Sequence, residues 1–197
     1  MFQKIFLGVM WLALAGCASR QESWHFAFPP EGTTAYQAPD GRLWVLHDSA
    51  KSPDGRYTLS YTPVTVKAGK WKELLSFAIS SDDMSVATTS TRLNELTAKF
   101  DEKLTYTCEE VAGAVVLVIR SPTVNESSVG RALPSASWYY CVSYASRRGP
   151  EGETQFKAWE AMIRNWPNGL LRPKSAVEPQ KAKEPSHTPQ PAASAEH

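Results

Sequence analysis

The apolar run AVVLVI at residues 114–119 decides the fold of this chain. It has no polar side chain, and four of its six residues are β-branched. A short continuous run of this kind is typical of a strand that is buried on both faces of a sheet. Pro122 follows the run and ends it, since proline cannot donate to the ladder of a central strand. We therefore expect residues 114–119 to form a central strand.

Alternating patterns on both sides of this run predict further strands. Residues 104–108 alternate apolar residues with Thr105 and Thr107, and the turn to the central strand is expected within residues 109–112. Residues 138–144 place Trp138, Tyr140, Val142 and Tyr144 on one face and Cys141 on the other. Nearer the N-terminus, Tyr57, Leu59 and Tyr61 alternate with small polar residues. The motif Pro-Asp-Gly-Arg occurs at residues 39–42 and again at residues 53–56, which predicts a turn before each of two strands.

Three segments carry helical spacing instead. Trp71, Leu74, Leu75 and Ala78 predict a short helix that can pass into a strand through residues 77–79. Residues 89–91 are an N-cap cluster for a helix from Arg92 to about Lys103. Residues 154 to about 166 form the strongest helix, which Pro167 ends; its apolar stripe is Phe156, Trp159, Met162, Ile163 and Trp166. We expect this stripe to seat the helix on the sheet. Residues 123–135 are interpreted as a polar loop.

This order of elements predicts an α+β domain over residues 38–168, an antiparallel β-sheet packed with two or three helices. The layout is similar to that of compact α+β lipoproteins and of PsbP-like sandwiches. After the domain, residues 169–197 are rich in proline and poor in apolar residues. Such a segment cannot bury enough apolar surface to fold, so a disordered Pro-rich tail is expected.

The N-terminus has the features of an export signal. Lys4 provides a positive start, and the uncharged run 5–15 is too short to span a bilayer, which needs roughly 20 apolar residues. The sequence Leu14-Ala15-Gly16-Cys17 then resembles the lipobox of bacterial lipoproteins. The resemblance implies cleavage of a signal peptide, residues 1–16, and lipidation of Cys17. The alternative is an ordinary signal with a chance cysteine.

The same resemblance suggests where the protein resides. In bacterial lipoproteins an aspartate after the lipidated cysteine favours retention in the inner membrane, and here Ala18 and Ser19 follow. We therefore expect a periplasm-facing protein that is anchored through Cys17, with residues 17–37 as a membrane tether. The outer membrane is the favoured location.

Lipidation of Cys17 leaves Cys108 and Cys141 as an even pair. In an oxidising compartment the simplest interpretation of such a pair is a disulfide bond. A reactive thiol or a metal-binding pair is the alternative. It is weaker because the chain has no Cys-x-x-Cys spacing and its four histidines are scattered.

Charge and motifs narrow the possible functions. Lys4 is the only charged residue in the signal, which leaves 20 basic and 20 acidic residues, and this balance argues against a nucleic-acid partner. The sequence lacks the common nucleophile, phosphate-binding and zinc motifs. His47-Asp48-Ser49 and Glu109-Glu110 are unsuited to a catalytic relay, because adjacent strand residues point to opposite faces. Asp82 and Asp83 are interpreted as loop residues, and we expect no catalytic residue, cofactor or metal.

The sequence thus favours a non-enzymatic, lipid-anchored envelope protein, a binding or accessory component of a secretion, conjugation or cell-wall assembly. Its expected partners are the membrane, through Cys17, and another envelope protein. One alternative is an inhibitor or immunity-type lipoprotein that neutralises a periplasmic enzyme. A hydrolase with an unrecognised site is a further alternative.

Overall fold

The structure is a computed structural model that describes residues 27–53, 56–64, 71–100 and 103–172. It contains one antiparallel sheet of eight strands and three helices, so the architecture is mostly β. The strands are β1 Ala35–Gln37, β2 Leu43–Lys51, β3 Tyr57–Pro63, β4 Glu73–Ser80, β5 Thr105–Val111, β6 Ala114–Ser121, β7 Glu126–Pro134 and β8 Tyr139–Ser146. The helices are α1 Val86–Phe100, α2 Glu153–Arg164 and α3 Asn168–Leu171, and a 3-10 turn covers Gly149–Gly152.

Two antiparallel meanders meet at the middle of the sheet. The strand order is β1-β2-β3-β4-β8-β7-β6-β5, so β4 and β8 are the central pair and α1 connects the two meanders. The run AVVLVI is β6, and Val115 and Val116 are buried on opposite faces, as predicted. It lies next to the edge strand β5 and not at the centre of the sheet, because the strands that follow it fold back towards β4.

One face of the sheet carries the main core. Phe156, Trp159 and Ile163 of α2 are buried against this face, which confirms the predicted seat of the helix. The Trp159 ring stacks on Tyr144 with a centroid separation of 4.8 Å and an interplanar angle of 8°. The same core includes residues from both ends of the described chain, since the Phe28 N–H donates to the Leu170 carbonyl at 2.9 Å.

The helix predicted from Trp71 is wrong. Residues 73–80 form β4, in which Glu73, Leu75, Phe77 and Ile79 are buried on the core face and the residues between them face the other way. A period of two accounts for every position of this strand, whereas the helical spacing linked Leu74 and Ala78, which share the opposite face.

The polar loop predicted for residues 123–135 is also wrong, because residues 126–134 form β7. The strand buries Val129 and Leu133 on the core face. Its polar residues occur on both faces, so the sequence does not show a clear alternation of apolar and polar residues. The second predicted helix exists but begins at Val86, before the expected N-cap cluster. The β5–β6 turn is confined to Ala112 and Gly113, so β5 continues to Val111.

The folded domain extends beyond the expected bounds, residues 38–168. Strand β1 lies within the expected tether, residues 17–37, and α3 extends into the expected tail, residues 169–197. Phe28 and Leu171 are buried in the core.

The other expectations for the flanks concern residues outside the described ranges. The signal peptide, Cys17, the tether up to residue 26 and the tail from residue 173 all belong to those parts of the chain. Within the described ranges, no helix has the length and apolar character needed to cross a membrane.

Candidate binding surface

A buried carboxylate, Glu73, organises one end of the sheet. It is fully buried at the start of β4. Its carboxylate accepts hydrogen bonds from Arg42 Nη1 at 2.9 Å and Nη2 at 3.2 Å, and from Arg148 Nη2 at 2.9 Å. The Tyr144 hydroxyl donates to it at 2.8 Å. Both carboxylate oxygens are therefore saturated by donors from three other segments of the chain.

The first Pro-Asp-Gly-Arg turn delivers Arg42 to this cluster. Gly41 has a φ of 79°, a conformation that glycine adopts without strain. Asp40 accepts from the Arg42 backbone N–H at 3.0 Å and from its Nε at 2.6 Å. The turn thus fixes both the backbone and the guanidinium of Arg42. In the second copy of the motif, residues 54 and 55 lie outside the described ranges.

Electrostatics keep Glu73 ionised. Burial by itself raises the pKa of the Glu73 carboxyl, but the hydrogen bonds from Arg42 and Tyr144 and the charges of Arg42 and Arg148 outweigh it. The pKa therefore lies below the ordinary glutamate value. Two arginines face two carboxylates, Glu73 and Asp40, so the charges of the cluster cancel. The cluster holds together the segments that contribute its residues. The sequence did not reveal it, although Glu73 shares the parity of Leu75 and Phe77.

Arg131 is a second buried charge with a structural role. The residue is only 3% exposed. Its guanidinium donates to the Arg164 carbonyl at 2.5 Å, to Asn168 Oδ1 at 2.8 Å and to the Val111 carbonyl at 3.2 Å. Burial lowers its pKa. The Arg164 carbonyl belongs to the last turn of α2, where the helix dipole is negative, so Arg131 caps the helix and ties it to the sheet.

The structure does not bring the predicted disulfide pair together. Cys108 lies on β5 and Cys141 on β8, and both are free thiols. Two strands separate them in the sheet. With neighbouring strands about 4.8 Å apart, three strand spacings place their backbones about 14 Å apart along the sheet. A disulfide needs Cα atoms within about 7 Å. The pairing was expected from the even number of cysteines, and this number holds no information on the order of the strands, which brings the chain back to β4 through β7 and β8.

The two thiols have different surroundings. The Cys141 Sγ lies 3.4 Å from the Met84 Sδ, and burial raises the pKa of this thiol to about 12. Cys108 is half-buried, and desolvation also raises its pKa. Because the thiolate is the reactive form, neither thiol has the depressed pKa of a nucleophilic cysteine.

These surroundings predict the outcome of alkylation under native conditions. We expect a maleimide to modify Cys108 faster than Cys141, and both to react once the chain is unfolded. Mass spectrometry of digested protein measures the two rates. Mobility on a non-reducing gel should be the same for the native chain and Cys108→Ser. A mobility change that requires both cysteines would show a bridge and contradict this arrangement of β5 and β8.

The other residues singled out in the sequence are dispersed. His47 lies at an irregularity in the β2–β3 register and is exposed, as are Asp48 and Ser49. Glu109 pairs with Arg164 on the core side, and Glu110 points to the other face. Asp83 accepts from the Ser85 backbone N–H at 2.8 Å and from the Thr88 hydroxyl at 2.5 Å. In the described part of the chain, no group of three or more His, Cys, Asp or Glu residues could hold a metal ion.

Within the described ranges, no helix or loop covers the second face of the sheet over its central strands; we call this the open face. The register aligns Ser60 of β3, Ser76 of β4, Ser143 of β8 and Gly130 of β7 in one row. The Ser60 and Ser76 hydroxyls are 2.9 Å apart. The neighbouring rows on β4, β8 and β7 are Ala78–Cys141–Ala132 and Leu74–Ala145–Ser128. Because these side chains are short and mostly half-buried, the open face is a shallow trough.

Helix α1 forms one wall of this trough. It packs over β5, where the Tyr106 hydroxyl donates to Asn94 Oδ1 at 2.7 Å. A cavity of about 220 Å³ lies between the start of α1 and the sheet, and Met84 and Thr89 line it together with Gly130, Ala132, Cys141 and Ser143 of the floor. Leu96 is seven residues beyond Thr89 and therefore on the same flank of α1. It is 45% exposed. The open face and this cavity form one continuous surface, which we call the α1 groove.

The α1 groove combines apolar side chains with hydroxyl groups. The hydroxyl groups of Ser76 and Ser143 lie in its floor between rows of mostly apolar side chains, and the apolar side chains of a partner would be removed from water on such a surface. Burial of one leucine-sized side chain contributes about 1.5–3 kcal/mol.

A scan against models of protein families finds no match, and a search of curated proteins finds none either.

Proposed function

We propose that this chain is a non-enzymatic binding protein of the bacterial cell envelope, lipid-anchored through Cys17. The domain would act as an accessory component of an envelope assembly and hold a protein partner in the α1 groove. The anchoring part of the proposal rests on the Leu14-Ala15-Gly16-Cys17 sequence.

One observation carries the binding part of the proposal. The core face of the sheet is covered by α2, by Leu171 of α3 and by Phe28, whereas in the described part of the chain the other face leaves short side chains of β3, β4 and β8 accessible beside an apolar cavity. The buried charges Glu73 and Arg131 have structural roles, since Glu73 is fully hydrogen-bonded by its donors and Arg131 caps α2. The groove is therefore the surface best suited to a partner.

Site-specific photocrosslinking in intact envelopes tests this proposal. A benzoylphenylalanine at Ser76 lies in the open face, and the same residue at Lys157 lies on the outer surface of α2, where the native side chain is 70% exposed. We expect a discrete adduct from position 76 and none from position 157. The adduct should disappear when the Ser76 probe is combined with Ser143→Trp, which fills the neighbouring position in the row.

The identity of the adduct separates the possible functions. A member of a multi-protein envelope complex supports an accessory role, and a single soluble periplasmic enzyme supports the inhibitor or immunity role. Equal crosslinking from positions 76 and 157, or an adduct that survives Ser143→Trp, would show that the α1 groove is not the binding surface.

A further inference from the structure

The edge strand β5 is a second surface to which a partner could bind. Among the described strands only β6 pairs with β5, so no described strand covers its outer side. The opposite end of the sheet is β1, which has 3 residues, whereas β5 has 7. A strand edge of this length presents a row of backbone donors and acceptors to which another strand can bind.

The turn between β5 and β6 determines which backbone groups face outward. Ala112 and Gly113 both have positive φ, as in the two-residue type I′ turn, and Val111 pairs with Ala114. In such a hairpin the pair that closes the turn exchanges both hydrogen bonds, and hydrogen-bonded pairs then alternate along the ladder. It follows that residues 105, 107, 109 and 111 bond to β6. Tyr106, Cys108 and Glu110 direct their N–H and C=O groups outward.

We propose that two copies of this chain pair through β5, antiparallel and centred on Cys108, and join their sheets into one. The outward residues are symmetric about Cys108, so this register satisfies all of them. Cys108 lies opposite the partner's Cys108, and Tyr106 lies opposite the partner's Glu110. No other antiparallel register pairs all three outward residues of both strands.

Charge favours the same register. Centred on Cys108, the pairing sets Glu110 opposite the partner's Tyr106 and Glu109 opposite the partner's Thr107. A shift of one residue in the centre would set Glu109 opposite the partner's Glu109, and like charges directly opposite each other are destabilising. The two glutamates therefore discriminate between registers of a strand that would otherwise slip.

Helix α1 sets a steric condition on this pairing. It lies over β5, so two copies of the helix would face each other across the two-fold axis. The flank of α1 on the β5 side includes Asn94, which bonds to Tyr106. Ala87, Thr91 and Ala98 share that flank at helical spacing, and all three are exposed. Short side chains allow helices to approach to about 8 Å, whereas paired strands lie about 4.8 Å apart, so the pairing requires each α1 axis to lie about 2 Å inward of its own β5.

Sedimentation equilibrium of the mature full-length chain in detergent tests the proposal, with proline at position 108 as the decisive change. Cys108→Pro removes an outward N–H without removing a bond to β6, so the hairpin is retained. We expect the native chain and Cys108→Ser to form dimers at micromolar concentration. Because each copy loses the hydrogen bond from its residue 108 N–H, the Cys108→Pro dimer lacks two hydrogen bonds. We expect this loss to weaken association about tenfold or more.

A second variant keeps the test valid if Cys108→Pro does not fold, as judged by circular dichroism. Ala98→Trp places bulk on the β5 flank of α1, and Arg92→Trp places the same bulk on another flank as a control. We expect Ala98→Trp to weaken the dimer and Arg92→Trp to leave it intact. A native chain that is monomeric throughout, or a dimer that survives folded Cys108→Pro, would overturn the proposal. If Cys108→Pro is unfolded, a dimer that survives Ala98→Trp overturns it.

Discussion

Glu73→Ala is expected to lower the free energy of unfolding by about 3 kcal/mol, because removal of one partner from a buried ion cluster leaves the others uncompensated. Arg42 and Arg148 would lose their shared carboxylate, and the Tyr144 hydroxyl would lose its acceptor. We place the effect at the lower end of the range for buried pairs because the two arginine side chains are 33% and 42% exposed. Urea unfolding measures the change.

Glu153→Ala is the matched control. Glu153 accepts a two-pronged hydrogen bond from Arg120, at 2.8 Å and 3.0 Å, so the chemistry resembles that of Glu73 and Arg42. Both side chains of this pair are more than a third exposed. Exposed pairs contribute about 1 kcal/mol or less. Equal losses in Glu73→Ala and Glu153→Ala would contradict the structural role of the Glu73 cluster.

The Glu73 cluster also predicts the direction of a pH effect. The pKa of Glu73 is lowered in the folded state, so its contribution to stability is complete at neutral pH. That contribution is lost as the pH falls from the ordinary glutamate range through the lowered pKa. Glu73→Gln cannot titrate, so its stability should depend less on pH in this acidic window than that of the native chain.

The parts of the fold that were predictable are those governed by local pattern. The alternation of Tyr57, Leu59 and Tyr61 and the apolar stripe of α2 are complete within one element, so their burial follows from periodicity. Residues 126–134 were missed because the strand buries a charged residue, Arg131, whose partners lie in α2 and α3. A local hydropathy pattern holds no information about partners that are distant in the sequence.

The candidate site depends on contacts between distant segments, and this explains why the sequence did not reveal it. The donors to Glu73 lie 31 and 75 positions away in the chain. The α1 groove arises because α1 crosses from the end of β4 to β5, and no other described segment covers the rows around Ser76 and Ser143. The separation of Cys108 from Cys141 has the same origin, since strand order is not encoded in the spacing of two cysteines.

Substitution of Cys17 has the largest expected effect on function, because the proposed role requires that the domain be held at the membrane. Cys17→Ser should abolish acylation completely and release the chain from the membrane fraction, since stable anchoring needs two or more acyl chains on this one residue. Cys108→Ser is the matched control, a cysteine within the folded domain whose loss should leave the anchor unaffected.

Metabolic labelling with a palmitate analogue, followed by fractionation, therefore tests the central claim most directly. We expect label in the native chain and in Cys108→Ser, both in the membrane fraction, and no label in a soluble Cys17→Ser. Label that persists in Cys17→Ser, or a native chain that carries none, would contradict lipid anchoring at this residue.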